Sequence, residues 1–331
     1  MLCMAEDRRG AEVGIRIGVL SIHRQSPGAQ LTIFRPEPTP EFVEWLKDYP
    51  FVRLITEPLP GASSWNCKPH ALLSILREGF DEAVWFDSDM MLARDYRPLF
   101  APLSDETIAI TQEAVSMANQ GTRRRTEAWG FPVGRELPYT LNSSIVRVTR
   151  KHEAFLEAWQ QALSRQDYVQ VQTLPVDDRP FHQQGDQDVF NALIGAREFA
   201  GLPLRVITSG HEIIHCGGAL GYSLAERLSG LSEKPVFLHA IAGKPWVILL
   251  PENRQPGWFG WYRRLLQEIS PYVLESRGYR KVLGEPSPWL DYGTFLGRSL
   301  RFVGAEHHAL AGFLPTAAAT AMNWWAQLRR G

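Results

Sequence analysis

Along the first third of the chain, short apolar runs alternate with segments whose apolar side chains recur every three or four positions. Leu2–Ala5, Leu31–Phe34, Phe51–Ile55 and Ala83–Phe86 have the length and the β-branched or aromatic content of buried strands. Between them, residues 15–25 place Ile15, Ile17, Val19, Leu20 and Ile22 at helical spacing, after a polar loop at 6–14. A second helix opens at Thr39-Pro40 and carries Phe42, Val43, Trp45 and Leu46. A third, at 68–80, aligns Ala71, Leu72, Ile75 and Leu76 on one face before Gly79 ends it. Strand and helix in strict alternation predict an α/β domain with a mainly parallel sheet flanked by helices.

The pattern is more mixed afterwards. Strands are predicted at 107–111, 143–149, 203–207 and 235–241, and helices at 152–165 and 186–195. A basic, glycine-containing loop is expected over 116–138. Beyond residue 250, Trp, Tyr, Leu and Arg fall at helical spacing among several prolines. The expected organisation is a catalytic domain over 1–250 and a helical C-terminal region over 251–331.

Composition adds mainly exclusions. Of 331 residues, 44% are hydrophobic and 21% charged, with a formal net charge of −1. Such a balance gives no electrostatic footprint for nucleic acid, so no nucleic-acid partner is expected. No apolar run reaches the length of a membrane span, and the first residues turn charged too soon for a secretory signal. Cys3, Cys67 and Cys216 are odd in number and widely spaced, which fits a reducing, cytoplasmic setting.

The candidate chemistry begins where strand 83–86 runs straight into Asp87-Ser88-Asp89. Burying ionised carboxylates is costly unless something neutralises them. In parallel α/β sheets, ligands sit beyond the carboxyl ends of the strands, where connections diverge. Paired carboxylates at such an end suit a hard divalent cation, Mn²⁺ or Mg²⁺, that keeps positions open for phosphate oxygens. The bland reading is a solvated turn, and the same spacing recurs at Asp186-Gln187-Asp188. The segment 239–246, HAIAGKPW, offers His239 as a third ligand and Lys244 as a point charge for phosphate. Its bland reading is a histidine at the core edge followed by an ordinary loop.

Taken in order, VWFDSDM, LNSSIVRV, GDQDVFNAL and HAIAGKPW resemble the A-type glycosyltransferases, most closely the retaining family 8 of glycogenin and the bacterial lipopolysaccharide galactosyltransferases. That family pairs an Asp-x-Asp strand end with a late His-x-x-Gly-x-x-Lys-Pro-Trp segment. Between them it carries an Asn near a central strand and an Asp-Gln-Asp before a helix. The resemblance covers roughly residues 1–250. It departs from the pattern at the late segment, which is one residue short, with Gly243 abutting Lys244. The family's donor-binding arginine has no counterpart, and Lys68 is the nearest basic residue.

The resemblance implies a GT-A fold, a Rossmann-like sheet binding a nucleoside-diphosphate sugar. It implies a metal held by Asp87, Asp89 and His239, and a UDP-sugar donor contacted by Ala5, Glu6, Lys68, Ser88, Asn142, Gly243 and Lys244. Asp186 and Gln187 would lie at the reacting sugar. The bland reading of Asp186 is a simple helix N-cap, and both roles can hold at once; Asp188 is read as serving the helix start. A glycan or glycolipid would accept the sugar, with retention of configuration.

Rival readings remain. HEIIH at 211–215 matches a zinc-hydrolase signature, but its chemistry needs a helix, and Ile213 and Ile214 between glycines suit a strand as well. A sugar-nucleotide nucleotidyltransferase shares the metal–phosphate logic but wants a glycine-rich loop after the first strand. A carbohydrate-binding module would not need the metal cluster. Arg123–Arg125 is either a solvated loop or a site for an anionic acceptor. The tail from 310 either docks on the domain or rests on the inner face of a membrane.

Overall fold

The computed structural model describes residues 1–8, 10–59, 64–114, 121–217, 224–283, 288–291, 293–307, 309–311 and 313–328. Four parallel strands, β1 (Leu2–Ala5), β2 (Leu31–Phe34), β3 (Val52–Ile55) and β4 (Glu82–Phe86), are joined by α1 (Glu12–Gln25), α2 (Pro40–Leu46) and α3 (Lys68–Arg77). The chain continues through β5 (Met90–Leu92), α4 (Arg97–Phe100), β6 (Ile108–Gln112), α5 (Arg123–Ala128) and β7 (Leu141–Thr149). Next come α6 (Glu153–Leu163), α7 (Gln166–Val171), α8 (Asp186–Gly195) and β8 (Leu204–Ile207). A small second sheet uses β9 (Ile213–His215) and, after α9 (Leu224–Ser229), β10 (Phe237–His239). The C-terminal region holds α10 (Pro245–Ile248), α11 (Gly257–Glu268), α12 (Pro271–Ser276), α13 (Arg280–Leu283), α14 (Pro288–Asp291), α15 (Phe295–Val303) and α16 (Phe313–Leu328).

The main sheet has seven strands in the order β3-β2-β1-β4-β7-β6-β8, with only β7 antiparallel to its neighbours. Side-chain alternation explains why it is covered on both faces. Leu2, Met4, Val84 and Phe86 join the core beneath α1 and the C-terminal helices, whereas Cys3, Ala83 and Trp85 join the core beneath α3, α6 and α8. Tyr272, Val273 and Trp289 belong to the same core as Met90, Met91 and Phe237, so the helices after residue 250 close that face.

Two details differ from the pattern read off the sequence. Helix α1 starts at Glu12 rather than residue 15, and the Glu12 carboxylate in its first turn accepts hydrogen bonds from Thr39 N (2.8 Å) and Thr39 Oγ1 (2.6 Å). The expected loop at 116–138 contains α5, whose residues Thr126 and Arg125 are held by α8. Among the described residues, no helix is long and apolar enough to cross a membrane.

Candidate active site

Sheet order fixes where the site must lie. The chain leaves β1 toward β2 and β3, then returns to the other side of β1 as β4, so a crevice opens between the carboxyl ends of β1 and β4. Ala5 and Glu6 emerge from β1 and Asp87 from β4, and all three line a cleft of about 460 Å³. Glu6 accepts from Ser88 Oγ (2.6 Å) and from Arg8 Nη2 (2.7 Å), which ties the first strand end to the Asp-Ser-Asp turn. Burial disfavours the Glu6 carboxylate, but the Arg8 guanidinium prevails and keeps its pKa low. Gly14 on α1 lets this turn sit close, because a Cβ there would stand 2.5 Å from Ser88 O and 2.8 Å from the Trp246 ring.

The second sheet completes the cluster. Strand β10 lies between β5, antiparallel, and β9, parallel, with His239 opposite both Met90 and His215. Asp89 immediately precedes β5, so this register carries His239 to the two aspartates. Single ligand atoms of Asp87, Asp89 and His239 all fall within 4.8 Å of one another. Two carboxylates and one imidazole, largely buried, form an oxygen-rich donor set that fits Mn²⁺ or Mg²⁺.

Hydrogen bonding behind the cluster fixes the orientation of His239. His215 Nε2 lies 2.9 Å from Gln112 O, a carbonyl that only accepts, so this nitrogen carries a proton. Burial, and then the neighbouring His239, push the His215 pKa down, so the ring is neutral and its Nδ1 is an acceptor. His239 Nδ1, 2.9 Å away, must therefore donate to it. That leaves His239 Nε2, 3.4 Å from Asp89 Oδ1, facing the carboxylates. A histidine ligand commonly has its second nitrogen anchored in this way.

Charges around the cluster are dense. Burial disfavours ionised Asp89, but Lys244 and His239 outweigh it and hold its pKa well below the usual carboxylate range. Lys244 Nζ donates to Asp89 Oδ2 and to Ala240 O, the latter at 2.9 Å. Asp87 behaves oppositely: burial raises its pKa, since Lys68 is shared and Asp89 repels it. Lys68 Nζ lies 3.2 Å from Asp87 Oδ1 and 3.3 Å from Asp186 Oδ2, and donates to Ser143 Oγ at 2.8 Å. Burial opposes its charge, yet Asp186 and Asp87 raise its pKa, so it remains an ammonium.

Beyond Lys68 the cleft floor is polar. Asp186, the first residue of α8, accepts from Ser143 Oγ at 2.7 Å instead of capping its helix; Asp188 performs that task, accepting from Gly185 N at 3.1 Å. Glu113, which sequence reasoning missed, lies 1% exposed just past β6. Its Oε2 accepts from Asn142 Nδ2 (2.9 Å) and Gln187 Nε2 (3.2 Å), so the three side chains form one unit on the cleft wall. Burial opposes its charge, but hydrogen bonds from Asn142 and from Ala114 N (2.8 Å) to the carboxylate keep its pKa low. A glutamate ending a strand after TIAIT carried the same signal as Asp87, without a second carboxylate to draw notice.

Other readings fare differently. Gly243 does not line the cleft; its Cα faces Ile248 and Arg263. Ala242 beside it does line the cleft and has φ +61°, the left-handed conformation that favours glycine. The resembled motif has its glycine three positions after the histidine, where this chain has Ala242. Arg123–Arg125 begins α5 and forms no common anion site. Arg125 is buried against Asp188 (2.8 Å), and Arg123 pairs with Glu127 and Glu136. HEIIH is not helical. Ile213–His215 is a strand, and Glu212 engages Arg205 and Thr208 N. Helix α16 packs against α9, and the basic residues at 329–330 lie outside the described residues.

No protein-family model matches the sequence, and no curated protein is similar enough to match. Solved structures do match. The apo structure of the bifunctional glycosyltransferase WbbM aligns with a TM-score of 0.51 at 12% identity, covering 74% of this chain and 46% of that one. The fold is GT-A. Since the match spans less than half of WbbM, it speaks for the fold of the aligned part and not for the activity of the whole. Weaker likenesses include the galactosyltransferase LgtC in complex with donor and acceptor sugar analogs, with TM-score 0.47, 13% identity, and 80% and 94% of the two chains covered. Another is mouse xyloside xylosyltransferase 1, apo form, with TM-score 0.46, 15% identity, and 74% and 98% covered.

Proposed function

We propose that this GT-A protein is a metal-dependent glycosyltransferase that moves a sugar from a nucleoside-diphosphate donor, a UDP-sugar, to a glycan or glycolipid, with retention of configuration, as in family 8. The observation that carries the reading is the convergence of Asp87, Asp89 and His239 in one cleft with Lys244, Lys68, Asp186 and Gln187. Asp87, Asp89 and His239 would hold Mn²⁺ or Mg²⁺, which supplies Lewis-acid neutralisation of the departing diphosphate, worth several kcal/mol. Lys244 would exchange Asp89 for phosphate oxygens and follow the charge as it develops. Ala5 and Glu6 would border the base and ribose beside Ser88. Asp186, oriented by Ser143 and Lys68, would accept from sugar hydroxyls, while Gln187, held by Glu113 and Asn142, would stand at the anomeric centre. Among neighbouring solved structures, LgtC was captured with donor and acceptor analogs, which supports the same pair of partners here.

Cytoplasmic placement, with peripheral membrane contact through helices of a distinct 251–331 region, is part of this proposal. Buried free cysteines at 3, 67 and 216 agree with a reducing compartment. Calorimetric titration of UDP with and without Mn²⁺, on the parent and on Asp89→Asn, tests the reading. Manganese-dependent binding lost in the variant is expected. If the parent ignores UDP and other nucleoside diphosphates in the presence of Mn²⁺, the assignment fails. The anomeric coupling in the product's proton NMR spectrum tests retention.

A further inference from the structure

Among the described residues, the lysines and arginines that line the cleft are Arg8, Lys68 and Lys244. Lys68 is buried between Asp87 and Asp186, and Lys244 engages Asp89. Arg8 is the one guanidinium of the three, and its side chain is 56% exposed. One edge of it is fixed. Nε donates to Glu6 Oε1 at 2.8 Å and Nη2 to Glu6 Oε2 at 2.7 Å, a bidentate pair. Oε1 also accepts from Arg8 N at 2.9 Å, and Oε2 from Ser88 Oγ at 2.6 Å. Both oxygens of the buried Glu6 carboxylate are therefore occupied, and Glu6 has little left to offer a ligand. Arg8 Nη1, by contrast, has no acceptor among the described residues.

The backbone beneath this pair is held as firmly. Arg35, 2% exposed, donates through Nη1 to Glu6 O and to Arg8 O, each at 3.0 Å, and lies 3.5 Å from Glu12. A buried arginine pins the loop after β1, and a buried glutamate pins the side chain that the loop carries. An exposed ion pair contributes little to stability and needs no such scaffold, whereas a binding group gains affinity from being held in place beforehand.

Position decides what the guanidinium meets. Arg8 Nη2 and Ser88 Oγ share one carboxylate oxygen, so Arg8 abuts the residue between Asp87 and Asp89. A diphosphate bound at the Asp-Ser-Asp turn has Arg8 as its neighbour. We propose that Arg8 is a phosphate-binding residue of the donor site: held on Glu6 through Nε and Nη2, it offers Nη1 to the diphosphate, which Lys244 meets from the side of β10. A guanidinium suits phosphate oxygens better than the neutral groups of base or ribose. The inference rests on the donor-site reading above and adds to it a residue and the part of the donor that it contacts. As a mere counter-ion for Glu6, Arg8 would tie the turn together and touch no ligand.

Calorimetric titration of UDP in Mn²⁺ separates these roles, comparing the parent with Arg8→Lys and Arg8→Gln. Both substitutes keep a donor for Glu6, so the fold is expected to hold, and the melting temperature checks it. Loss of a charged hydrogen bond to phosphate should weaken UDP binding roughly 10–100-fold in Arg8→Gln. Arg8→Lys keeps the charge but not the fork, and should fall between that variant and the parent. If Arg8→Gln does not fold, Arg8→Lys decides, with a several-fold loss expected and parental affinity overturning the proposal. Folded variants that melt lower but bind UDP like the parent overturn it as well. So does the reverse order, Gln above Lys, which would mark a contact with base or ribose. A parent that ignores UDP and every other nucleoside diphosphate removes the donor-site reading itself, and this proposal with it; parental binding in Arg8→Gln removes this proposal alone.

Discussion

Replacing His215 with phenylalanine keeps a ring of similar size between β10 and β6 but removes both of its polar atoms. His239 Nδ1–H then loses the acceptor 2.9 Å away, and Gln112 O loses its donor. A buried donor left unpaired costs about 1–3 kcal/mol. His239 escapes that cost only by turning its ring, which takes Nε2 away from Asp89. Either route weakens the cluster for a cation, and loss of such an anchoring partner typically lowers metal affinity roughly 10–100-fold. Titration of Mn²⁺ into the protein, followed by the electron paramagnetic resonance of the free ion, measures this directly. His215→Gln, which retains an amide oxygen able to accept from His239, should recover part of the loss. Imidazole ¹⁵N spectra give a readout independent of the metal, with His239 Nδ1 protonated in the parent both with and without Mn²⁺. A folded His215→Phe protein with parental Mn²⁺ affinity, or an unprotonated His239 Nδ1, would refute the derivation.

Three other outcomes are expected. Gly14→Ala places a methyl 2.5 Å from Ser88 O, so the Asp-Ser-Asp turn must shift; urea unfolding should show a cost of about 1–3 kcal/mol and calorimetry a weaker response to Mn²⁺. Ala242→Gly removes a side chain from a left-handed backbone, a strain of about 1–2 kcal/mol offset in part by chain entropy, so melting should stay level or rise, and a clear drop would contradict the φ of +61°. His152 is buried, with Nδ1 accepting from Thr149 N (2.9 Å), and burial lowers its pKa below the usual imidazole value. Below pH about 6.5 the unfolded chain binds a proton that the native ring refuses, so stability should fall with pH there by at most about 1.4 kcal/mol per unit. Denaturant melts should show a shallower fall in His152→Gln over the same window.

How much of this could be read from the sequence depends on how local the determining interactions are. Strands β1 to β4 and their helices were legible because each is a short apolar run with its own boundaries, and their order alone predicts a crevice beyond β1 and β4. Asp87 and Asp89 stood out because charge follows directly on a buried strand. Glu113 sits in the same kind of place, but its partners Asn142 and Gln187 are distant in sequence, and only β6–β7 pairing and the start of α8 bring them together. Arg125 was misjudged because a basic triplet looks solvated until Asp188 is known to lie against it.

The most instructive case is HEIIH. Its spacing suggests two ligands on one helical face, whereas its second histidine is a strand residue that contacts His239 from behind the candidate metal cluster. Parallel pairing of β9 with β10 sets His215 beside His239 on the same face, and antiparallel pairing of β10 with β5 sets His239 beside Met90 and hence Asp89. A shift of either strand by one residue would turn these side chains to the opposite face. The three short strands therefore decide whether the donor set exists at all. Their register is held by apolar residues, Met90, Met91, Phe237 and Ile213, that carry no sign of chemistry in the sequence.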